Sequence, residues 1–395
     1  ARIYDAFSGH ISSYKRIGKY TDPDGRELDV LIVRVKSPEK LDRTRTALRD
    51  FVIRHLDEFG KDYALAAFYS PEDGGADWRF SFIKLEYEEY LDDAGKVKTS
   101  RRETPAKRYS FLVGAGEKGY TAKRQLLELM LKFYQPTVEQ IEEAFSIETV
   151  TDEFFEQYKG LYITLHDYLE QQAPVKKALE AAGLDTVRFT KKLLGQIVFL
   201  YFLQKKGWLG AAPGEPIVNG KRQFIQELFK RSQAEGKNFY NDYLKFLFYE
   251  ALAKERADHY YPRFDCQIPF LNGGLFEAQH DWRSDEIQIP NRFFRNQDTT
   301  RSGDVGTGIL DVFDRYNFTI KEDEPLEKEV AVDPEMLGKV FENMLDVTER
   351  KSKGAFYTPR EIVHYMCRES LIHYLDTALN TYDMPLREAG SSQAS

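Results

Sequence analysis

The segment Val332-Asp-Pro-Glu-Met-Leu-Gly-Lys-Val-Phe-Glu-Asn-Met-Leu345, with the loop Glu349-Arg-Lys-Ser-Lys-Gly-Ala-Phe-Tyr-Thr-Pro359 after it, decides how the chain is organised. Asp333 followed by Pro334 is an N-cap carboxylate with proline at the first helical position, and Leu337, Val340, Phe341, Met344 and Leu345 fall on one helical face. A second helix starts at Thr358-Pro359-Arg360-Glu361, a capping box, and places Val363, Met366, Cys367, Ser370, Leu371, Tyr374 and Leu375 on one stripe. Free N–H groups and the positive dipole end at that start can receive a carboxylate or phosphate, Gly354 permits close backbone approach, and Phe356-Tyr357 offer aromatic faces. The residues allow two accounts: a site for a small anionic ligand with a flat ring, or the hydrophobic entry to an ordinary surface helix.

The run Leu337 to Leu345 and the run Lys353-Gly-Ala-Phe-Tyr-Thr-Pro-Arg-Glu-Ile-Val363 resemble the entry to the catalytic domain of adenine-specific DNA methyltransferases, in particular the Eco57I-like type IIG restriction-modification family. Lys192-Leu-Leu-Gly-Gln-Ile-Val-Phe-Leu-Tyr-Phe-Leu-Gln-Lys-Lys-Gly-Trp208 and Ile268-Pro-Phe-Leu-Asn-Gly-Gly-Leu-Phe276 are similar to the same family. The resemblance implies that Phe356, Tyr357, Thr358 and Pro359 close over the methionine end of S-adenosylmethionine. It further implies double-stranded DNA as partner and other subunits of a defence system as companions.

A net charge of −8, from 56 basic and 64 acidic residues, excludes a histone-like coat and confines any nucleic-acid surface to local patches. One candidate patch is Arg350, Lys351, Lys353 and Arg360; Arg43, Arg45, Arg49 and Arg54 form another cluster, read here as a solvated helix face. With 42% apolar residues the chain can bury two or three cores, yet its longest uncharged apolar block, Leu193 to Gln204, falls short of the about 18 to 20 residues of a membrane helix. Two cysteines, Cys266 and Cys367, without metal-type spacing, fit a reducing compartment, so a cytoplasmic location and no zinc site are expected.

The first 115 residues read as an α/β unit. Strands at Tyr14 to Tyr20 and Leu28 to Val35 flank the turn Asp22-Pro-Asp-Gly25, a helix carries Leu41, Leu48, Phe51, Val52 and Leu56 inward, and strands follow at Tyr63 to Tyr69, Trp78 to Tyr90 and Lys107 to Val113. The resembled family often carries a nuclease here, with metal bound by an Asp and a (Glu/Asp)-x-Lys pair. In this chain Arg34 occupies the acidic position of Arg34-Val35-Lys36, and Asp29 and Lys36 have opposite strand parity, which leaves Glu27, Asp29 and Lys36 as weak catalytic candidates for a Mg²⁺-dependent endonuclease. A degenerate nuclease-like or DNA-contacting domain is expected.

Gly114-Ala-Gly-Glu-Lys-Gly119 reads as a linker to a helical region with periods at Leu126 to Phe133, Phe154 to Leu165 and Phe189 to Leu203, the last apolar nearly all round and therefore central. Further helices are expected at Phe224 to Phe229 and Tyr243 to Leu252, and Ser302-Gly-Asp-Val-Gly-Thr-Gly308 as a mobile surface loop. The glycine-rich strand-loop and the Asn-Pro-Pro-Tyr-like segment that amino-methyltransferases use for the adenosyl group and the extruded base do not occur, so these 395 residues alone are expected not to transfer methyl groups.

The expected architecture is therefore α+β overall: a nuclease-like α/β domain at residues 1–115, a mostly helical connector at 120–348, and at 349–395 the entry to a Rossmann-like methyltransferase domain. The expected parent activity is DNA adenine-N6 methylation in a restriction-modification or phage-defence system. A non-catalytic DNA-binding or scaffold module is the competing class, with the endonuclease as a third.

Overall fold

The computed structural model describes residues 4–85, 88–91, 97–100, 107–271, 273–320, 327–334, 336–338 and 360–379. Contacts divide the chain into two compact units, Ala1–Pro334 and Glu335–Ser395. The first unit begins with an antiparallel hairpin, β1 (Ile11–Thr21) and β2 (Glu27–Val35). Its turn closes as Asp-Pro-Asp-Gly chemistry dictates. The Gly25 N–H donates to the Asp22 carbonyl at 3.0 Å, Gly25 takes the left-handed φ of 81°, and the Asp22 carboxylate accepts from the Arg26 N–H at 2.7 Å.

Helices α1 (Glu39–Arg43) and α2 (Arg45–Phe59) then cross to β3 (Tyr63–Tyr69), which lies parallel to β2. Antiparallel β4 (Asp77–Lys84) and β7 (Lys107–Gly114) extend the sheet, β5 (Glu88–Leu91) and β6 (Val97–Ser100) form a separate ribbon between them, and β10 (Glu327–Glu329) pairs parallel with β7. The sheet order is β1-β2-β3-β4-β7-β10. The expected strand Trp78 to Tyr90 is thus split, β4 ending at Lys84. Strand alternation turns Leu31, Val33, Val35, Ala64, Ala66 and Phe68 toward Leu48, Phe51, Val52 and Leu56 of α2, and this is the first core. Gly60 ends α2 at φ 60°, where the Lys61 N–H reaches back to the Leu56 carbonyl at 2.9 Å.

The second half of this unit is helical: α3 (Tyr120–Lys132), α4 (Val138–Glu143), α5 (Ile147–Gln171), α6 (Ala173–Ala181), α7 (Thr186–Lys205), α8 (Phe224–Ala234) and α9 (Ile309–Phe313). The short ribbon β8 (Tyr260–Tyr261) and β9 (Cys266–Gln267) lies between α8 and α9. Helices α4, α5 and α7 start at side-chain caps: Thr137 and Gln140 make a capping box on α4, Ser146 accepts from the Thr149 N–H, and Asp185 accepts from the N–H groups of Val187 and Arg188. Fourteen of the twenty α7 residues are buried, so the helix is central as its all-round apolarity predicts. Its buried amides are satisfied, the Gln196 Nε2 donating to the Leu275 carbonyl at 2.8 Å and the Gln204 Oε1 accepting from the Ile225 N–H at 3.2 Å. Residues Tyr240–Leu252 wind as π-helical turns, Tyr240–Leu244 and Leu247–Leu252, where an ordinary helix was expected.

The glycine-rich stretch after β7 is a docked seam. Gly116 N–H donates to Asp77 at 2.8 Å, Lys118 N–H donates to the Asn317 Oδ1 at 2.7 Å, and the Asn317 amide donates to the Leu112 and Lys118 carbonyls. The loop at residues 302–308 is tied to α3 and α9 by hydrogen bonds: Asp304 accepts from Tyr120 as well as from Ser302, and the Asp311 carboxylate accepts from the Gly308 N–H at 3.1 Å. In the second unit the described helix is α10 (Arg360–Leu379).

Because Ile197 of α7 is fully buried, Ile197→Ala is expected to lower unfolding free energy by about 2–5 kcal/mol, measured as a shift of the urea midpoint with unchanged slope.

Candidate functional site

Helix α10 is described from Arg360 onward, so the start that Thr358 and Pro359 set in the sequence lies outside the described residues. Residues Arg350, Lys351, Lys353, Phe356, Tyr357, Thr358 and Pro359 lie outside the described residues, as does the Arg360 side chain. Along α10 the apolar stripe is open to solvent, with Met366 58% and Tyr374 69% exposed.

On β2, Glu27 and Asp29 share the face that turns toward α2, as their parity requires. The Asp29 carboxylate is fully buried between two nitrogens, ion-paired with Arg16 at 2.7 Å from Oδ1 and with His55 Nε2 at 3.0 Å from Oδ2. His55 reaches it from α2 and packs edge-on to Tyr14, with ring centroids 5.8 Å apart. Glu27 pairs with both Lys19 and Lys61, whose hydrogen bonds hold its carboxyl down at about 2. Lys36 is exposed beyond the end of β2, and its backbone N–H donates to the His10 carbonyl at 2.9 Å. The structure therefore brings Glu27 and Asp29 to one face, each engaged by cationic or imidazole nitrogens, and leaves Lys36 apart from them.

Sequence reasoning missed several polar clusters because their members are far apart in the chain. Asp22, Asp24 and Glu139 bring carboxylate oxygens within 4.8 Å of one another. Asp22 is committed to structure there, capping Val138 N–H at 3.0 Å as well as its own turn. A cleft of about 60 Å³ at the seam is lined by Glu117, Lys205, Arg222, Gln226, Asp314 and Asn317. Within it Lys205 binds both Glu117 oxygens, at 2.7 and 2.6 Å, and Tyr201 donates to Asp314 at 2.9 Å. Burial, reinforced by the Asp314 charge, pushes the Tyr201 hydroxyl well above its ordinary value, so it stays a donor.

A third cluster joins Lys245, His280 and Asp285, all nearly inaccessible, with the His280 Nε2 3.1 Å from Asp285. Burial raises the Asp285 pKa, but hydrogen bonds from His280 and Lys245 outweigh it, and the net value lies below 3.8. The arginine cluster of α2 also differs from expectation: Arg45 and Arg49 point inward, Arg45 and Arg79 sharing the buried Glu329, while Arg54 lies over the Tyr4 ring at 4.9 Å. Arg45 and Arg49 sit one helical turn apart; Arg49 is buried, and Arg45 is half-buried where it reaches Glu329 of β10.

Among the described residues no helix is long and apolar enough to cross a membrane. The chain is similar, at 26% identity over 356 residues, to a Methanocaldococcus jannaschii protein that carries the provisional name type II restriction enzyme and methyltransferase RM.MjaORFECS2P. The match covers 79% of this chain and 27% of that protein, so the chain spans about a quarter of its relative's length. No protein-family model matches the chain, and no solved structure matches it.

Replacing Asp29 by alanine leaves the buried His55 without its carboxylate partner, while Arg16 stays open to solvent; the expected loss is about 3 kcal/mol in urea unfolding. For Asp285 the folded pKa is depressed, so its contribution is present above the unfolded carboxylate value of 3.8 and is lost as pH falls through the folded value. The stability difference between the parent and Asp285→Asn, followed by urea unfolding from neutral to strongly acidic pH, is expected to shrink only below about pH 4.

Proposed function

We propose that the chain is the N-terminal part of a site-specific DNA methyltransferase of a restriction-modification or phage-defence system, acting on adenine N6. The observation that carries this proposal is the similarity over 356 residues to a protein named as both restriction enzyme and methyltransferase. The capping-box sequence Thr358-Pro-Arg-Glu361 supports it, because a helix N-terminus directly after Phe356-Tyr-Thr-Pro359 would suit the carboxylate of a methionine-type cofactor. Bound S-adenosylmethionine would supply the activated methyl group.

In this proposal Phe356, Tyr357, Thr358 and Pro359 hold the cofactor, and Arg350, Lys351, Lys353 and Arg360 meet the phosphates of double-stranded DNA. Residues 1–115 form the nuclease-like or DNA-contacting part, 120–348 the helical connector and 349–395 the entry to the catalytic domain. The pairing of Glu27 and Asp29 with basic residues favours a degenerate nuclease-like domain, with no call on Mg²⁺.

The test is transfer of labelled methyl from S-adenosylmethionine to a panel of duplex DNAs by the full gene product. Label is expected in adenine for the parent protein and at least tenfold less for the Phe356→Ala, Thr358→Ala double variant. Absence of label across the panel would replace the proposal with a non-catalytic DNA-binding module.

A further inference from the structure

The sheet has two faces, and their charges are segregated. One face packs on α2 and holds the carboxylates Glu27, Asp29 and Glu329. On the other face, none of the residues that β1, β2, β3, β4 and β7 contribute is acidic. Part of this second face is covered, since Phe145 packs on Phe80, Phe82 and Phe111 with tilted rings and Glu142 ties down Lys84 at 3.0 Å.

The remainder is open. Register places Arg34, Tyr69 and Trp78 side by side on three adjacent strands, and Lys15, Ile32 and Ala67 in the next row. Lys15 and Arg34 are exposed, and the other four are half-buried. Arg34 Nε donates to the Tyr69 hydroxyl and its guanidinium lies 5.8 Å from the ring centroid, which orients the phenol without spending the cation on a carboxylate. Among the described residues neither Lys15 nor Arg34 has an acidic partner, nor does Lys36 at the same end of β2. Lys19 and Lys61, on the opposite face, are both paired. The nearby Asp73 is turned into its own loop, accepting the Gly75 N–H at 2.9 Å.

Unpaired cations beside half-open aromatic rings, on a face without carboxylates, complement a chain of phosphates carrying flat bases. We infer that this open face is a platform for an unpaired nucleic-acid strand, with Lys15, Arg34 and Lys36 on phosphates and Tyr69 and Trp78 under bases. Duplex bases are stacked on one another and cannot lie on these rings; bases of an opened strand can. The inference rests on the proposed methyltransferase function for the origin of the open strand, because chemistry on a base takes it out of the duplex.

The test uses fluorescence anisotropy of a fluorescein-labelled single-stranded oligonucleotide of about twelve nucleotides, and of its duplex, over a salt series. The parent protein is expected to prefer the single strand. Trp78→Ala should weaken binding roughly tenfold with the salt slope unchanged, and Trp78→Phe should restore most of the affinity. Lys15→Ala with Arg34→Ala should weaken binding and lower the slope of log affinity against log salt by about 1.4, the ~0.7 per single-strand phosphate taken twice. Both cations are exposed, so thermal melts of that variant should match the parent's. Parent-like binding by these variants, a preference for duplex, or equal displacement of the oligonucleotide by polyglutamate would overturn the platform. Methyl transfer that persists unchanged in the variants would sink the platform and leave the methyltransferase proposal standing; strand binding lost in the variants, with no methyl transfer by the full protein, would do the reverse.

Discussion

Burial of α7 is the constraint on which the helical half of the molecule depends. A helix apolar on nearly every side cannot meet water on any face, so α5, α8, α9 and the segments around Leu275 and Phe318 must surround it. Tyr201, Phe154, Tyr158, Phe313 and Phe318 lock together as edge-to-face, tilted and stacked pairs, with Tyr158 and Phe313 only 11° from parallel. The glycine turn at Gly207 lets the chain leave this packed helix, since a Cβ there would stand 2.5 Å from the Val218 carbonyl oxygen.

The same packing fixes the seam with the sheet. Lys205, the last residue of α7, binds Glu117 just beyond β7, and Asn317 stitches the strand end with three hydrogen bonds. The sheet is thereby presented as a rigid base whose two faces differ in chemistry. Toward α2 it buries ionic groups in complementary sets, Asp29 with Arg16 and His55, and Glu329 with Arg45 and Arg79; such sets are costly to break, though not in themselves a source of large net stability. On the opposite face cations remain available for an external anion.

Much of the local architecture was legible. Tyr63 to Tyr69 matches β3 residue for residue, because alternating burial and flanking turns are short-range signals. The hairpin turn belongs to the same class. The inward turn of Arg45 and Arg49 was not legible, since a charged helix face reads as solvated unless a buried carboxylate is known to lie opposite. Nor was the exposure of Leu127, Met130 and Leu131 on α3, where helical periodicity was present but, among the described residues, no element packs over the stripe.

The sequence by itself determined the hairpin turn, the course of β3, which helix had to be central, and that Glu27 and Asp29 share a face while Lys36 does not. Those features depend on residues within about two turns of helix or one hairpin of each other. Only the tertiary structure decided which charges neutralise one another. Asp29 meets His55 from 26 positions away and Arg45 meets Glu329 from 284, and neither spacing follows any local period. Chain packing sets those distances, and with them which carboxylates are occupied and which cations remain open to a ligand.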